Sequence, residues 1–208
     1  MNVIAFGCSF TFGNDLDDLP DWEKDMKDER NFLPLKLKYH RPSKKSYPYI
    51  MGSLLRCDVK NYGWSGGSND RIFRTFFDHI LNNKKKSIYV IQWTFPHRSE
   101  IWSNEYQSYV GFTPSFVDGN VDTKKFYKDC YNENEVINKL LRYIWSVDSV
   151  CKEFGHELIQ FMPIENKFDI LPNSFLNTKE VMALVENKIH PTEEQHKRLA
   201  EYLSKGIK

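Results

Sequence analysis

A serine in a tight turn after a buried strand is the first residue of this chain with the chemistry of a nucleophile. Asn2-Val3-Ile4-Ala5-Phe6-Gly7 reads as a short apolar strand entering a turn, and Cys8-Ser9-Phe10-Thr11-Phe12-Gly13 follows at once. Such a turn exposes a hydroxyl, and a following helix points free N–H groups at it. Ser9 is therefore either a nucleophile or a helix cap, a role serine also favours. His190 stands in Asn187-Lys188-Ile189-His190-Pro191-Thr192, just before the last expected helix. From a loop there, an imidazole can reach the same sheet edge as a general base. Ser9 and His190 lie at opposite ends of the chain, so spacing does not place them together. Trp64, Trp93 and Phe95 can form an aromatic platform for a sugar or acyl chain, or pack in the core. Arg98 and Glu100 can bind a charged substrate or pair with each other.

The elements that must position these residues alternate. Ser46 to Arg56 has helical spacing, with Pro48 tolerated in the first turn. Asp58 to Tyr62 is an expected strand, and Gly63-Trp64-Ser65-Gly66-Gly67-Ser68 is a glycine-rich turn. A helix is expected from about Asn69 to Leu81, with Ile72, Phe73, Phe76, Phe77 and Ile80 on one side. Ile88-Tyr89-Val90-Ile91 is uninterrupted and apolar, the pattern of a strand buried on both faces of a parallel sheet. Residues 101–130 are aromatic and irregular, consistent with a hairpin and loops over the sheet edge. Glu133 to Phe154 is the clearest helix, ending before a capping Gly155. Leu158 to Met162 is another buried strand, and Pro163 to Asn177 reads as loop. The last helix begins near Thr192, where Thr192 and Gln195 fit a capping box.

This order predicts one domain over 1–208, a three-layer α/β/α sandwich with a mainly parallel sheet, carrying a charged excursion at about 14–45. Asp15 to Arg30 holds eight acidic and three basic residues, and Lys36 to Lys45 holds five basic and no acidic ones. The two halves can face each other as a solvated excursion, or form a docking surface. Ligands in such folds bind beyond the carboxyl ends of the strands, where the Ser9 turn and the Gly63–Ser68 turn should meet.

Taken together, Gly7-Cys8-Ser9-Phe10-Thr11 after a strand, Asn61-Tyr62-Gly63-Trp64-Ser65-Gly66-Gly67-Ser68-Asn69 after a second, and His190-Pro191-Thr192 before the last helix resemble the SGNH/GDSL hydrolase family. The order and relative positions match over nearly the whole chain, with three of the four usual motif blocks recognisable. The resemblance implies a flavodoxin-like α/β/α fold and a serine esterase or acyl-transfer mechanism. It implies Ser9 as nucleophile, with Cys8 where the first block often carries Asp. It implies Gly66 as an oxyanion donor beside the Ser9 N–H, and His190 as base. The last block normally places Asp three residues before the histidine, where this chain has Asn187. An amide orients an imidazole but does not stabilise its cation by charge, and in serine proteases Asp→Asn costs about 10⁴ in rate. Glu186 is adjacent and could substitute. The third block expects Gly-x-Asn after the strand at 88–91, where this chain has Gln92-Trp93-Thr94-Phe95-Pro96. Thr94, Gln92 or Asn69 could donate instead, Asn69 being otherwise a helix N-cap. Carbohydrate O-acetyl or small acyl esters are the substrate class implied. A ligand- or glycan-binding protein on the same fold, without turnover, is the alternative.

Composition narrows the classes further. The chain has 208 residues, 29 Lys+Arg against 28 Asp+Glu, and a net charge of +1, which argues against a protein that coats nucleic acid. No run approaches the roughly 18 apolar residues of a membrane span, and no signal peptide is visible, so a cytoplasmic location is expected. Cys8, Cys57, Cys130 and Cys151 show no metal-ligand spacing and read as reduced thiols. His190 and His196 are not spaced with a carboxylate to hold a metal, and no Walker or dinucleotide pattern occurs, so no cofactor is expected.

Overall fold

Side-chain alternation along three apolar strands divides the core in two. The computed structural model describes residues 1–19, 41–104, 107–114, 121–164, 168, 170–186 and 190–207. The elements are β1 (Asn2–Phe6), α1 (Ser9–Phe12), α2 (Tyr47–Leu55), β2 (Asp58–Asn61), α3 (Asn69–Ile80), β3 (Ile88–Gln92), β4 (Ser99–Ser103), β5 (Ser108–Phe112), α4 (Val121–Asp129), α5 (Glu133–Glu153), β6 (Glu157–Phe161), α6 (Thr178–Val185) and α7 (Glu193–Lys205). Four strands form a parallel sheet in the order β2-β1-β3-β6. Val3, Ala5, Ile88, Val90, Ile159 and Phe161 face α2, α6 and α7, meeting Tyr47, Met51, Val181, Leu199 and Leu203. Ile4, Phe6, Tyr89, Ile91 and Trp93 face the other way, onto Ile72, Phe76 and Ile80 of α3 and Leu140, Ile144 and Val147 of α5. Burying a large apolar side chain stabilises by about 1.5–3 kcal/mol, so both faces contribute. The fold is a three-layer α/β/α sandwich with a mainly parallel sheet.

The strand order reverses at β1. The chain leaves β1 to one side for β2, then returns past it to β3. Crevices in open α/β sheets form at such a reversal, beyond the carboxyl ends of the strands. Here those ends are Gly7-Cys8-Ser9 after β1 and Trp93-Thr94 after β3.

Most expected elements lie within a residue of their observed bounds. The capping box of α7 is formed in both directions by Thr192 and Gln195. Gly155 follows α5 at φ +67°, the left-handed conformation that glycine adopts without strain. The 101–130 region contains the antiparallel β4–β5 hairpin, and also α4, which the irregular aromatic pattern concealed. The short helix α6 was not anticipated; its eight residues bury only Val181 and Val185, too few positions to establish a period.

Residues 20–40, most of the charged excursion, lie outside the described residues. Its two described ends do face each other. Lys45 pairs with Asp17 at 2.8 Å, and Asp18 accepts from the Ser43 hydroxyl and from Lys44 N at 2.7 Å. No helix among the described residues is long and apolar enough to cross a membrane.

Candidate active site

The Ser9 turn is held from beneath by a buried glutamine. Gln92, at the end of β3, is 1% exposed. Its Oε1 accepts from Thr11 N at 3.1 Å and Thr11 Oγ1 at 2.7 Å, while its Nε2 donates to Cys8 Sγ at 3.1 Å. Thr11 Oγ1 has spent its proton on Gln92, so Tyr47 Oη, 2.9 Å away, must be the donor to Thr11. Burial raises the Tyr47 phenol well above its ordinary range, which keeps that proton in place. Gly7 is required here, because a Cβ would stand 2.0 Å from Thr11 Oγ1. The Asn61 amide at the end of β2 donates to Thr11 O at 2.6 Å, and its Oδ1 accepts from Gly63 N at 2.8 Å. The glycine turn is thereby seated on the Ser9 turn. Trp64 N donates to Gly7 O at 3.0 Å, and Asn14 Nδ2 to Ser65 Oγ at 2.8 Å.

Ser9 opens α1 and is 7% exposed. Its hydroxyl makes a long 3.8 Å contact to Cys8 Sγ. As the first residue of the helix, its N–H has no intrahelical partner. Gly66 stands at φ +72°, exposed, with open space where a Cβ would point.

His190 lies at this end of the sheet. Its ring packs edge-on against Phe10, the residue after Ser9, with centroids 6.4 Å apart. Its Nδ1 lies 2.6 Å from Asp15 Oδ2. Asp15 follows α1 at φ +65°, a left-handed conformation that Asp tolerates better than most residues. The carboxylate on His190 thus comes from the residues just after α1 and not from the segment before the histidine. Asn187 lies outside the described residues. Glu186 does not take that place, because it accepts from Arg198 at 3.2 Å. Asp15 carried a sequence signal, a carboxylate six residues after Ser9, but it sat inside an acidic run that read as solvated surface. No Ser9–His190 hydrogen bond is present among the described residues. Nδ1 is the ring nitrogen that faces Asp15, which leaves Nε2 on the opposite side of the ring.

The other expected site residues divide. Asn69 donates to Thr94 O at 3.0 Å and accepts from Thr94 N at 2.8 Å, so its amide is committed to holding the loop after β3. The N-cap of α3 is Ser68 and not Asn69. Thr94 is buried, and its hydroxyl accepts from Arg98 at 3.2 Å. Gln92 is committed to the Ser9 turn. Trp93 is a correction: it is 0% exposed, with its indole N–H bonded to Gln160 at 3.0 Å, so it fills the core and does not line a cleft. Arg98 stays near the crevice but does not pair with Glu100, which takes Arg74 at 2.7 Å. Trp64 lies beneath the guanidinium of Arg71, 4.0 Å from ring to Cζ.

A second histidine supports the site from the core. His196, on α7, accepts from Tyr47 N at 3.2 Å through Nδ1 and stacks on the Tyr47 ring. Its Nε2 is buried with no hydrogen-bond partner among the described residues. Burial, and secondarily the nearness of His190, lower its pKa to about 4. An unfolded chain takes up this proton below about pH 6.5, while the folded one refuses it until about pH 4. Stability is therefore complete above pH 6.5 and is lost as pH falls towards 4, by on the order of 3 kcal/mol. Denaturant titrations at pH 7 and pH 4.5 should show a larger acid loss in the wild type than in His196→Gln, by about 2 kcal/mol. Equal losses would contradict this coupling.

No family model matches this chain, and no curated protein matches it. Among solved structures, a candidate lipolytic protein of the G-D-S-L family from Desulfitobacterium hafniense DCB-2 aligns over 99% of both chains, at 15% identity and a TM-score of 0.39.

Proposed function

We propose that the chain is a serine hydrolase of ester bonds, with Ser9 as nucleophile, His190 as base and Asp15 as the carboxylate that orients it. The observation that carries this reading is the 2.6 Å Asp15–His190 contact, made against the residue next to Ser9 at the reversal point of the sheet. An Asp that accepts from Nδ1–H fixes the tautomer in which Nε2 is a base. Ser9 Oγ attacks the acyl carbon as its proton passes to Nε2. The carbonyl oxygen becomes an oxyanion facing the N–H groups of Ser9 and Gly66. The C–O bond breaks, and the alcohol leaves with the proton from Nε2. Water then attacks the acyl-enzyme, giving a proton to His190, which passes it to Ser9 Oγ as the acyl C–O bond breaks and the acid leaves. Asn69 and Thr94 position the crevice wall in this scheme. O-acetylated carbohydrate or small acyl esters are the substrates, on the resemblance of the motifs.

A binding protein without turnover is the second reading. It is favoured by the Ser9 hydroxyl contacting Cys8 and not His190, although catalytic hydrogen bonds are commonly loose before substrate binds. Incubation of the full chain with p-nitrophenyl acetate and acetylated xylan separates the two. The account predicts release of p-nitrophenol or acetate that is lost in His190→Ala. Release at the buffer rate by the wild type would leave the binding reading.

A further inference from the structure

Among the described residues, no counter-charge is bonded to the half-buried guanidinium of Arg71. Arg71 lies in the first turn of α3, with its guanidinium stacked on Trp64 at 4.0 Å. Among the described residues that guanidinium makes no hydrogen bond and no ion pair. Its neighbours account for themselves. Glu100 is taken by Arg74 through Nη2 at 2.7 Å and Nε at 3.2 Å. Asp70 is taken by Lys139 at 2.8 Å and Tyr143 at 2.9 Å. Arg98 is spent on Thr94. Burial lowers the Arg71 pKa, with Arg74 adding repulsion and Glu100 opposing both from a distance. Desolvating an arginine without a bonded anion is unfavourable, and proteins normally pair or hydrate such a group.

The guanidinium also stands beside the glycine turn. The Arg71 Cδ comes within 3.6 Å of where a Gly67 Cβ would stand, and Gly67 N closes the turn onto Trp64 O at 2.9 Å. Gly66 lies between these residues and faces open space. The same turn is bonded to Gly7 O through Trp64 N at 3.0 Å. The cation therefore flanks the turn expected to bind the ester oxyanion, on a ring that holds its plane. A planar guanidinium held this way offers two parallel N–H groups, the geometry that reads carboxylate, sulfate or phosphate.

We propose that Arg71 reads an oxyanion group on the substrate itself, so that the ester cleaved at Ser9 carries a carboxylate, sulfate or phosphate within a few bonds of the scissile carbonyl. This rests on the hydrolase reading and adds a substrate class to it. Trp64 is then the platform that orients the guanidinium, and not a stacking surface for an acyl chain.

Two matched pairs of esters test the proposal on the full chain. p-Nitrophenyl hemiglutarate against p-nitrophenyl pentanoate places the anion on the acyl side. 4-Acetoxybenzenesulfonate against phenyl acetate places it on the alcohol side, each rate being corrected for its rate in buffer. A charge-assisted hydrogen bond supports a preference of about 10- to 100-fold in kcat/KM. The wild type should show such a preference in one pair, Arg71→Met should abolish the ratio, and Arg71→Lys should retain part of it. No preference in either pair, or a ratio unchanged in Arg71→Met, would overturn the assignment. If no ester is turned over, the hydrolase reading fails separately. Calorimetric titration with glutarate and with sulfate then decides the Arg71 site: binding lost in Arg71→Met upholds it, and no binding by the wild type ends it.

Discussion

Ser9→Ala should lower ester hydrolysis by about 10⁴- to 10⁶-fold and leave the fold intact. The size follows from removing the atom that forms the acyl-enzyme, after which the remaining groups can only bind substrate and polarise it. The stability cost should stay within about 0.5 kcal/mol, since the hydroxyl's contact is the 3.8 Å one to Cys8. The bonds that hold the turn, from Gln92 and Asn61, involve the Ser9 neighbours and not its side chain. Rates on p-nitrophenyl acetate and thermal midpoints measured on the same preparations check both parts. Activity within tenfold of the wild type would remove Ser9 as nucleophile. A large drop in thermal midpoint would mean that lost rate reflects lost structure.

Asp15→Asn should be the second largest effect, a loss of about 10²- to 10⁴-fold in kcat with a smaller change in KM. The amide can keep a hydrogen bond to His190 but supplies no charge against the imidazolium, and its NH₂ favours the tautomer with the proton on Nε2. The upper figure belongs to a buried aspartate. Asp15 is exposed at its side chain, 74%, so solvent screening draws the effect towards the lower figure. Asn187→Asp provides the contrast. If Asp15 already holds His190, adding a carboxylate at 187 should not raise the rate appreciably. A tenfold gain from Asn187→Asp, with no loss from Asp15→Asn, would assign the orienting role to the segment before the histidine.

The layers of this molecule could be read from its sequence, because both signals they depend on are local. The apolar run at 88–91 and the spacing of Leu140, Ile144 and Val147 each declare their own period. Ser9, Gly66 and His190 stand out in the sequence for a related reason, since each lies at a strand end or helix start. What could not be read was pairing across the chain. Asp15 meets His190 over a sequence separation of 175, and nothing in an acidic run marks which carboxylate meets the histidine. Gln92, by sequence one of three candidate oxyanion donors, clamps Thr11 and Cys8 instead, a role visible only once β1 and β3 are side by side. Trp93 follows an apolar strand directly, and its identity alone did not separate a core indole from a cleft wall. The place of Arg71 was hidden for the converse reason, because it shows only once Glu100 and Asp70 are seen to take other partners.

Intact-mass labelling with a fluorophosphonate tests the central claim most directly. Such probes phosphonylate serines that are deprotonated by a neighbouring base and spare ordinary hydroxyls. The account predicts one added probe mass on the wild type, located to Ser9 by peptide mapping, absent from Ser9→Ala and strongly slowed in His190→Ala. Labelling that persists in Ser9→Ala, or no labelling of the folded wild type, would contradict it.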